Sequence, residues 1–450
     1  MGKKATPEDG IYDASLLGKP KMLVLGLQHL FAMFGATVLV PVLTGLDIAT
    51  TLFFAGIGTL LFHLLTKGKV PAFLGSSFAF IAGYTAIAPN GEASLLPYAC
   101  FAVAVSGILY LILAALVKVF TVKRVMRFFP PIVTGPIIIA IGLCLSASAV
   151  NNCSGSWRSW VIAIVAIVIV IVFNMWGKGM SKIVPILLGV LGSYVFAMLL
   201  DGEARQNVVT TVSNAAWFGL PFHMEATIFG LFSGDVDYGL LVSACVTIVP
   251  LALATMVEHI GDICAISSTC KKNYLEDPGL HRSLLGDGLA TMLASIFGAP
   301  ANTTYGENTG VLALSRVYDP KVIRIAAGFA ILLSFFPKFS ALISAMPLGT
   351  IGGVSMILYG MISAVGVRNV VENKVNFEST RNVIIAALIL VLSIGITYSS
   401  ETGSILIGVV SLSGLAVASI VGIVLNAVLP GKDYIFGTDP KGDTAVNFKV

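Results

Sequence analysis

The chain has 450 residues, of which 56% are hydrophobic and 11% charged, with a formal net charge of +4 and a mean hydropathy of +0.93. Its charged fraction is less than half the roughly 25% of a soluble domain, and the apolar excess runs from about residue 22 to about residue 429. This excludes a soluble enzyme with a membrane tail, a disordered chain, a coiled coil and a nucleic-acid binder, the basic residues being scattered rather than clustered. Continuous apolar runs, without alternation over about ten residues, exclude an outer-membrane barrel.

In chain order, Met1 to Pro20 is polar, so the first span itself is expected to direct insertion, with no cleaved leader. Apolar spans are predicted near 22–45, 49–66, 71–89, 97–120, 129–150, 158–176, 183–200, 238–262, 283–298, 301–316, 321–337, 340–365, 382–398 and 403–428. The chain therefore reads as an all-α polytopic membrane protein of fourteen transmembrane segments. Segments 3 and 10 are short. They open at Pro71 and Pro300 and carry small polar residues, which predicts short extended strands followed by half-helices. Residues 201–237 form an acidic external loop, and 431–450 a tail. With the N-terminus inside, every Lys and Arg except Arg158, Arg205 and Lys338 falls on the cytoplasmic side. A missed or extra span would destroy this asymmetry, so both termini are expected in the cytoplasm.

Three landmarks recur in order. Gln28-His29 matches Glu258-His259, Pro71-Ala72 matches Pro300-Ala301, and Pro130 with Gly135 matches Pro347 with Gly352. A repeat of seven spans must run inverted across the membrane. Inverted repeats with paired broken helices characterise secondary transporters with a midplane site.

A charge at the centre of a membrane helix costs at least ~2.5 kcal/mol. Glu258, Asp262, Asp287 and Glu307 are nevertheless placed in spans. Glu258 and Asp262 share one helix face, and Glu307 lies in broken segment 10. Desolvation and mutual repulsion favour keeping one carboxylate of such a group protonated, which suits proton coupling. Asp287 reads as structural. His29 is a candidate for a supporting role; His259 points about 100° away from Glu258 and is a weaker one; His63 reads as packing. The backbone donors of two helix starts, set against carboxylate acceptors, suit a small planar ligand with alternating N–H and C=O groups and disfavour an anion. Cys100, Cys144, Cys245, Cys264 and Cys270 lie in or beside spans and Cys153 in a short loop, without metal or redox spacing. No hydrolase or nucleotide motif occurs. No cofactor, metal or enzymatic activity is expected.

The stretch Glu307-Asn308-Thr309-Gly310 followed by Ser315-Arg316 resembles the signature of the nucleobase–ascorbate transporter family, with serine in place of threonine. Gln28 to Pro41, Gly68 to Ile81, Pro278 to Ser283 and Asn302 to Gly310 resemble its bacterial uracil permeases. The resemblance covers nearly all spans. It implies two inverted seven-segment repeats, a core domain (21–122 and 238–338) and a gate domain (128–200 and 339–428). It also implies proton-coupled uracil import by alternating access, a homodimer, and a bacterial inner-membrane location among lipid. Substrate would be held by Glu258, Glu307, Phe78, Gly306 and Tyr305 with His29 in support, and protons by Glu258, Asp262 and Glu307. One departure stands out: uracil permeases often carry histidine where this chain has Asp262, and an acid there resembles the purine branch. A xanthine or broad-specificity carrier is the alternative. A fourteen-span channel or anion exchanger is disfavoured by the carboxylates, and a membrane hydrolase has no motif behind it.

Overall fold

A computed structural model describes residues 10–120, 130–232, 236–399, 404–407 and 410–432. The side chains of Ala36, Ile183, Val257, Glu307, Leu406, Ile407, Val410 and Ser411 lie outside the described set. So do the domain edges at 122 and 128, part of the external loop, the opening of segment 14 at 403, and most of the tail.

The chain is mostly helical. The elements are α1 (Lys19–Thr44), α2 (Ile48–Leu65), β1 (Leu74–Ser76), α3 (Ile81–Ile87), α4 (Leu96–Phe120), α5 (Pro131–Cys153), α6 (Trp157–Trp176), α7 (Pro185–Leu200), α8 (Gly202–Asn214), α9 (Tyr238–Ile248) and α10 (Ala252–Thr269). They continue with α11 (Leu280–Ile296), β2 (Asn302–Thr304), α12 (Gly306–Ser315), α13 (Pro320–Ser334), α14 (Pro337–Ser344), α15 (Leu348–Glu372), α16 (Thr380–Ser399), β3 (Ser404–Ile407), β4 (Val410–Ser413) and α17 (Gly414–Val428).

Local chemistry sets the boundaries. Asp47, Ser156, Asp237, Asp319 and Ser413 accept first-turn N–H groups as N-caps of α2, α6, α9, α13 and α17. Proline opens α5, α7, α13 and α14, where its missing N–H costs nothing. Gly45 ends α1 in the left-handed region, at φ 79.

Helices α1, α2, α4, α9, α11 and α13 pack mainly on one another, as do α5, α6, α7, α15, α16 and α17. Contacts of α1 with α7 join the two groups, and α10 bridges them by packing on α4, α11 and α12 on one side and on α5 on the other. Helix α6 shows a membrane-facing surface. Ile164, Val168 and Ile171 are exposed along it, with exposed Trp157 and Trp160 at one end and Trp176 at the other. This is the aromatic pattern of the two bilayer interfaces, and 20 residues span about 30 Å.

Among the described residues, eight helices are long and apolar enough to cross a membrane, or up to ten if each of two bent pairs forms one span. Strands β1 and β2 followed by short helices match the expectation for segments 3 and 10. Several other expectations need correction. The segment placed at 340–365 begins only at Leu348, because Pro347 restarts the chain after α14, which itself bends by 85° from α13. The last segment, placed at 403–428, is a β3–β4 hairpin followed by a helix from Gly414. The segment placed at 238–262 runs on to Thr269, interrupted by a 3-10 turn at Pro250. The external loop contains α8, bent by 113° from α7. Cys153 is the buried last residue of α5 rather than a loop residue.

Before α1, the chain from Gly10 to Leu17 lies across the α12–α13 connection. Ile11 N donates to Arg316 O (2.7 Å), Tyr318 N donates to Ile11 O (2.8 Å), and Ala14 N donates to Asp319 Oδ2 (2.8 Å).

Candidate functional site

The site is built around two broken elements. Strands β1 and β2 pair antiparallel, Leu74 opposite Thr304, Gly75 opposite Thr303 and Ser76 opposite Asn302, and all six residues are buried. Tyr305 N donates to Phe73 O (3.0 Å) and Ser77 N to Ala301 O (2.9 Å), extending the pair at both ends. Isolated three-residue strands cannot satisfy their outer edges, and buried backbone groups demand partners. Thr59 and Thr291 of the surrounding helices supply them, and the side chain of Asn302 ties β2 back to α2. Leu74 N donates to Thr59 Oγ1 (2.9 Å), Thr291 Oγ1 donates to Asn302 O, and Asn302 Nδ2 donates to Phe54 O (2.9 Å). Tyr305 OH donates to Ser76 O (2.7 Å) and accepts from Thr37 Oγ1 (3.3 Å), tying α1 to both strands.

The strands deliver two helix starts to one region. A 3-10 turn at Phe78–Phe80 leads into α3, and α12 starts at Gly306. Neither Ser77 nor Tyr305, their N-caps, caps its helix with a side chain. Ser77 Oγ and both side-chain polar atoms of Asn308 are buried without a hydrogen-bond partner among the described residues.

Helix α10 runs beside this break. Glu258 is exposed on it and Asp262 half-buried. A methyl at Gly306 would come within 3.0 Å of Asp262 Oδ1, so α12 starts directly against this carboxylate. Among the described residues, nothing lies within 4 Å of a Cβ position at Gly261 or Gly310, so no described side chain covers the faces they carry. Glu258, Asp262 and Gly306 thus share an open flank. Tyr305 is buried and Phe78 half-buried. His29 is buried in α1 with neither ring nitrogen hydrogen-bonded. Glu307 lies in the first turn of α12, and its side chain is outside the described residues. Gln28 lines a separate cavity of about 530 Å³ with Lys21, Val24, Val311, Leu314 and Ser315.

Behind the open flank lies a polar network that sequence spacing did not reveal. His259 and Asp287 are both 0% exposed, with Nδ1 and Oδ1 3.5 Å apart. His259 Nδ1 is 3.2 Å from Thr304 Oγ1, and Nε2 is 3.0 Å from Ser283 Oγ. Thr304 Oγ1 donates to Asp262 Oδ2 (3.3 Å) and Thr303 Oγ1 to Asp287 Oδ2 (3.4 Å). Tyr110 OH donates to Thr255 Oγ1 (2.6 Å) on the same side of α10. The one available signal was the density of hydroxyl residues in Asn302-Thr303-Thr304. Among the described residues, no group of three His, Cys, Asp or Glu could hold a metal ion.

The site is thus a pair of antiparallel half-strands, each leading into a helix start inside a mostly helical bundle. The fold is similar to that of the transmembrane domain of a cyanobacterium bicarbonate transporter, BicA, with TM-score 0.58 and 14% identity over 93% of this chain and 99% of that one. The sequence profile of the Permease family, the xanthine/uracil permeases, matches residues 20–402. The chain is 40% identical to the uracil permease of Bacillus subtilis over 416 residues, 90% of this chain and 91% of that protein. It is 39% identical to the uracil permease of Escherichia coli (strain K12), over 90% of each. The chain belongs to this permease family, the nucleobase–ascorbate transporters, on its bacterial uracil permease branch. It is a multi-pass membrane transporter, not an enzyme.

Proposed function

We propose that this protein imports uracil by proton symport through alternating access. The observation that carries the reading is the β1–β2 pair. It sets two helix starts without side-chain caps against Glu258 and Asp262, offering backbone donors and carboxylate acceptors to one planar ligand. The identity to uracil permeases points to uracil as that ligand.

In this reading Glu258 holds the ring N–H groups and Glu307 adds a second acceptor. The backbones of Phe78 and Gly306 flank the ring, Tyr305 closes the pocket, and His29 supports it. Glu258, Asp262 and Glu307 carry the coupled proton. The fourteen segments form two inverted seven-segment repeats. Segments from 21–122 and 238–338 make the core, and those from 128–200 and 339–428 make the gate. The preferential packing of α5–α7 with α15–α17 supports this division. The protein works as a homodimer in the bacterial inner membrane with both termini in the cytoplasm.

Asp262 favours one second reading, a xanthine or broad-specificity nucleobase carrier, because its carboxylate accepts from Thr304 where a histidine could donate. The test is exchange of labelled uracil across proteoliposomes without a gradient. Wild type should exchange uracil and resist excess xanthine, and Glu258→Gln should lose at least about 90% of exchange, roughly the 1.4 kcal/mol of a tenfold effect. Exchange by Glu258→Gln at the wild-type rate removes Glu258 from the site. Block by xanthine moves the assignment to the purine reading.

A further inference from the structure

The network behind the open flank allows a count of protons. Ser283 has one hydroxyl hydrogen, and it points to Leu280 O at 3.0 Å. With that hydrogen on Leu280 O, the Ser283 oxygen is left to accept from His259 Nε2–H at 3.0 Å. Thr304 has one hydroxyl hydrogen, and it points to Asp262 Oδ2 at 3.3 Å. In that arrangement, with Asp262 ionised, the Thr304 oxygen is left to accept from His259 Nδ1–H at 3.2 Å. An imidazole that donates from both nitrogens is an imidazolium. Its counter-charge is in place, since Asp287 Oδ1 lies 3.5 Å away and makes no hydrogen bond. An ionised carboxylate with no exposure needs such a partner.

If Asp262 holds a proton, the count changes. Its O–H then donates to Thr304 Oγ1, the threonine hydrogen turns to His259 Nδ1, and Nδ1 has to accept. The imidazole is then neutral, protonated only at Nε2. The two arrangements differ by a single proton. The N–H bond at His259 Nδ1 breaks as an O–H bond forms at Thr304, and the original threonine hydrogen passes to Asp262 Oδ2. No other reactant is needed.

We propose that His259 exchanges one proton with Asp262 through the hydroxyl of Thr304, with Asp287 as its counter-charge. His259 is thus a positioning residue for the transport reaction, acting on the open flank only through Asp262. This rests on the reading that Asp262 lies on the proton path, and adds a fully buried proton holder behind it. Among the described residues, the groups around His259 come from five elements. Helix α10 contributes Glu258 and Asp262, and α11 contributes Ser283 and Asp287. The hydroxyl of Tyr110 on α4 is within electrostatic range of Asp287 and Glu258. From α2, Phe62 sets its ring edge to His259 at 6.3 Å. The neighbouring His63 is engaged on Ala72 O at 2.9 Å, and Arg324 lies within range of His63. Strand β2 contributes Thr303 and Thr304.

The experiment is nitrogen-15 NMR of the full-length, histidine-labelled protein in membranes between pH 5 and 9, without nucleobase. The His259 resonances are assigned by their loss in His259→Gln. Wild type should show an imidazolium at pH 7, and Asp287→Asn a neutral imidazole. Thr304→Val, which keeps the shape of threonine but removes the hydroxyl, should displace the titration by more than about one pH unit, the mark of coupled sites. Thr304→Ser should titrate as wild type does. A neutral His259 at pH 7 in wild type, or a Thr304→Val protein titrating like wild type, overturns the proposal. Asp262→Asn gives an independent check if Thr304→Val does not fold, because it too should displace the titration. The readout requires no transport. An imidazolium pattern as expected, in a protein whose uptake ignores the proton gradient, supports the exchange and refutes only the coupling reading.

Discussion

At the scale of single residues, the proposed roles of Glu258 and Asp262 differ in line with their exposure. Glu258 is open to the flank where α12 begins, whereas Asp262 is half-buried and already accepts a hydrogen from Thr304. A group with that partner is suited to report protonation to the interior rather than to hold a ring alone. Asp262→Asn should therefore leave uracil exchange within about tenfold of wild type, 1.4 kcal/mol, while flattening the dependence of uptake on external pH. A pH profile unchanged by Asp262→Asn would remove this carboxylate from the proton path. The spacing of four between these two acids was legible in the sequence as one helix face. His259 was undervalued because its partners come from β2 and α11, between 24 and 45 residues away. Position on a helix shows where a side chain points but not what meets it.

At the scale of elements, the strands depend on side chains from neighbouring helices. Thr59 carries the outward N–H of Leu74, and a buried N–H without an acceptor costs about 1–3 kcal/mol. Thr59→Val should lower the thermal midpoint of the purified protein, and Thr59→Ser should restore it. Equal midpoints for valine and serine would mean that the strand does not need this hydroxyl.

The Gly10–Leu17 strap is held by polar contacts at its exposed side. Hydrogen bonds from Ser15 and then Lys321 bring the Asp13 carboxyl down to about 2. A lowered folded value means that its contribution is complete above the ordinary carboxylate value of about 3.9 and is lost only as pH falls through about 2. The protection against hydrogen exchange of the Ser15 amide, which donates to Asp13 Oδ1 at 3.1 Å, should therefore be the same at pH 5 and pH 8 once corrected for intrinsic rate. A loss of protection at pH 5 would show that another group holds the strap.

The broken character of segments 3 and 10 was legible from Pro71, Pro300 and the small polar residues after them. The β3–β4 hairpin and the α13–α14 bend were not. Ser404 to Ile407 reads as apolar on any hydropathy scale, and strand pairing is a tertiary event that composition does not encode.

At the scale of the whole molecule, the proposed orientation, with both termini in the cytoplasm, rests on the distribution of Lys and Arg along the chain. In that orientation Leu220, 70% exposed within the external loop, faces the outside, and Lys374, at the turn after α15, faces the cytoplasm. In intact cells, a cysteine placed at Leu220 should react with a membrane-impermeant maleimide, and one at Lys374 should not. The reverse pattern would invert the topology and with it the direction of import. The sequence predicts fourteen segments from its apolar runs and charge asymmetry, whereas eight to ten spans are long and apolar enough among the described residues. Fewer helices are individually long enough to span, because broken segments divide one crossing between a strand and a short helix.

The central claim is that the carboxylates beside the paired breaks couple nucleobase movement to protons. The most direct test is uptake of labelled uracil into proteoliposomes with acid outside, with and without a protonophore and excess unlabelled xanthine. Accumulation above equilibrium that collapses with the protonophore and resists xanthine is the predicted result. Uracil that equilibrates without accumulating, or accumulates equally with the protonophore present, would contradict it.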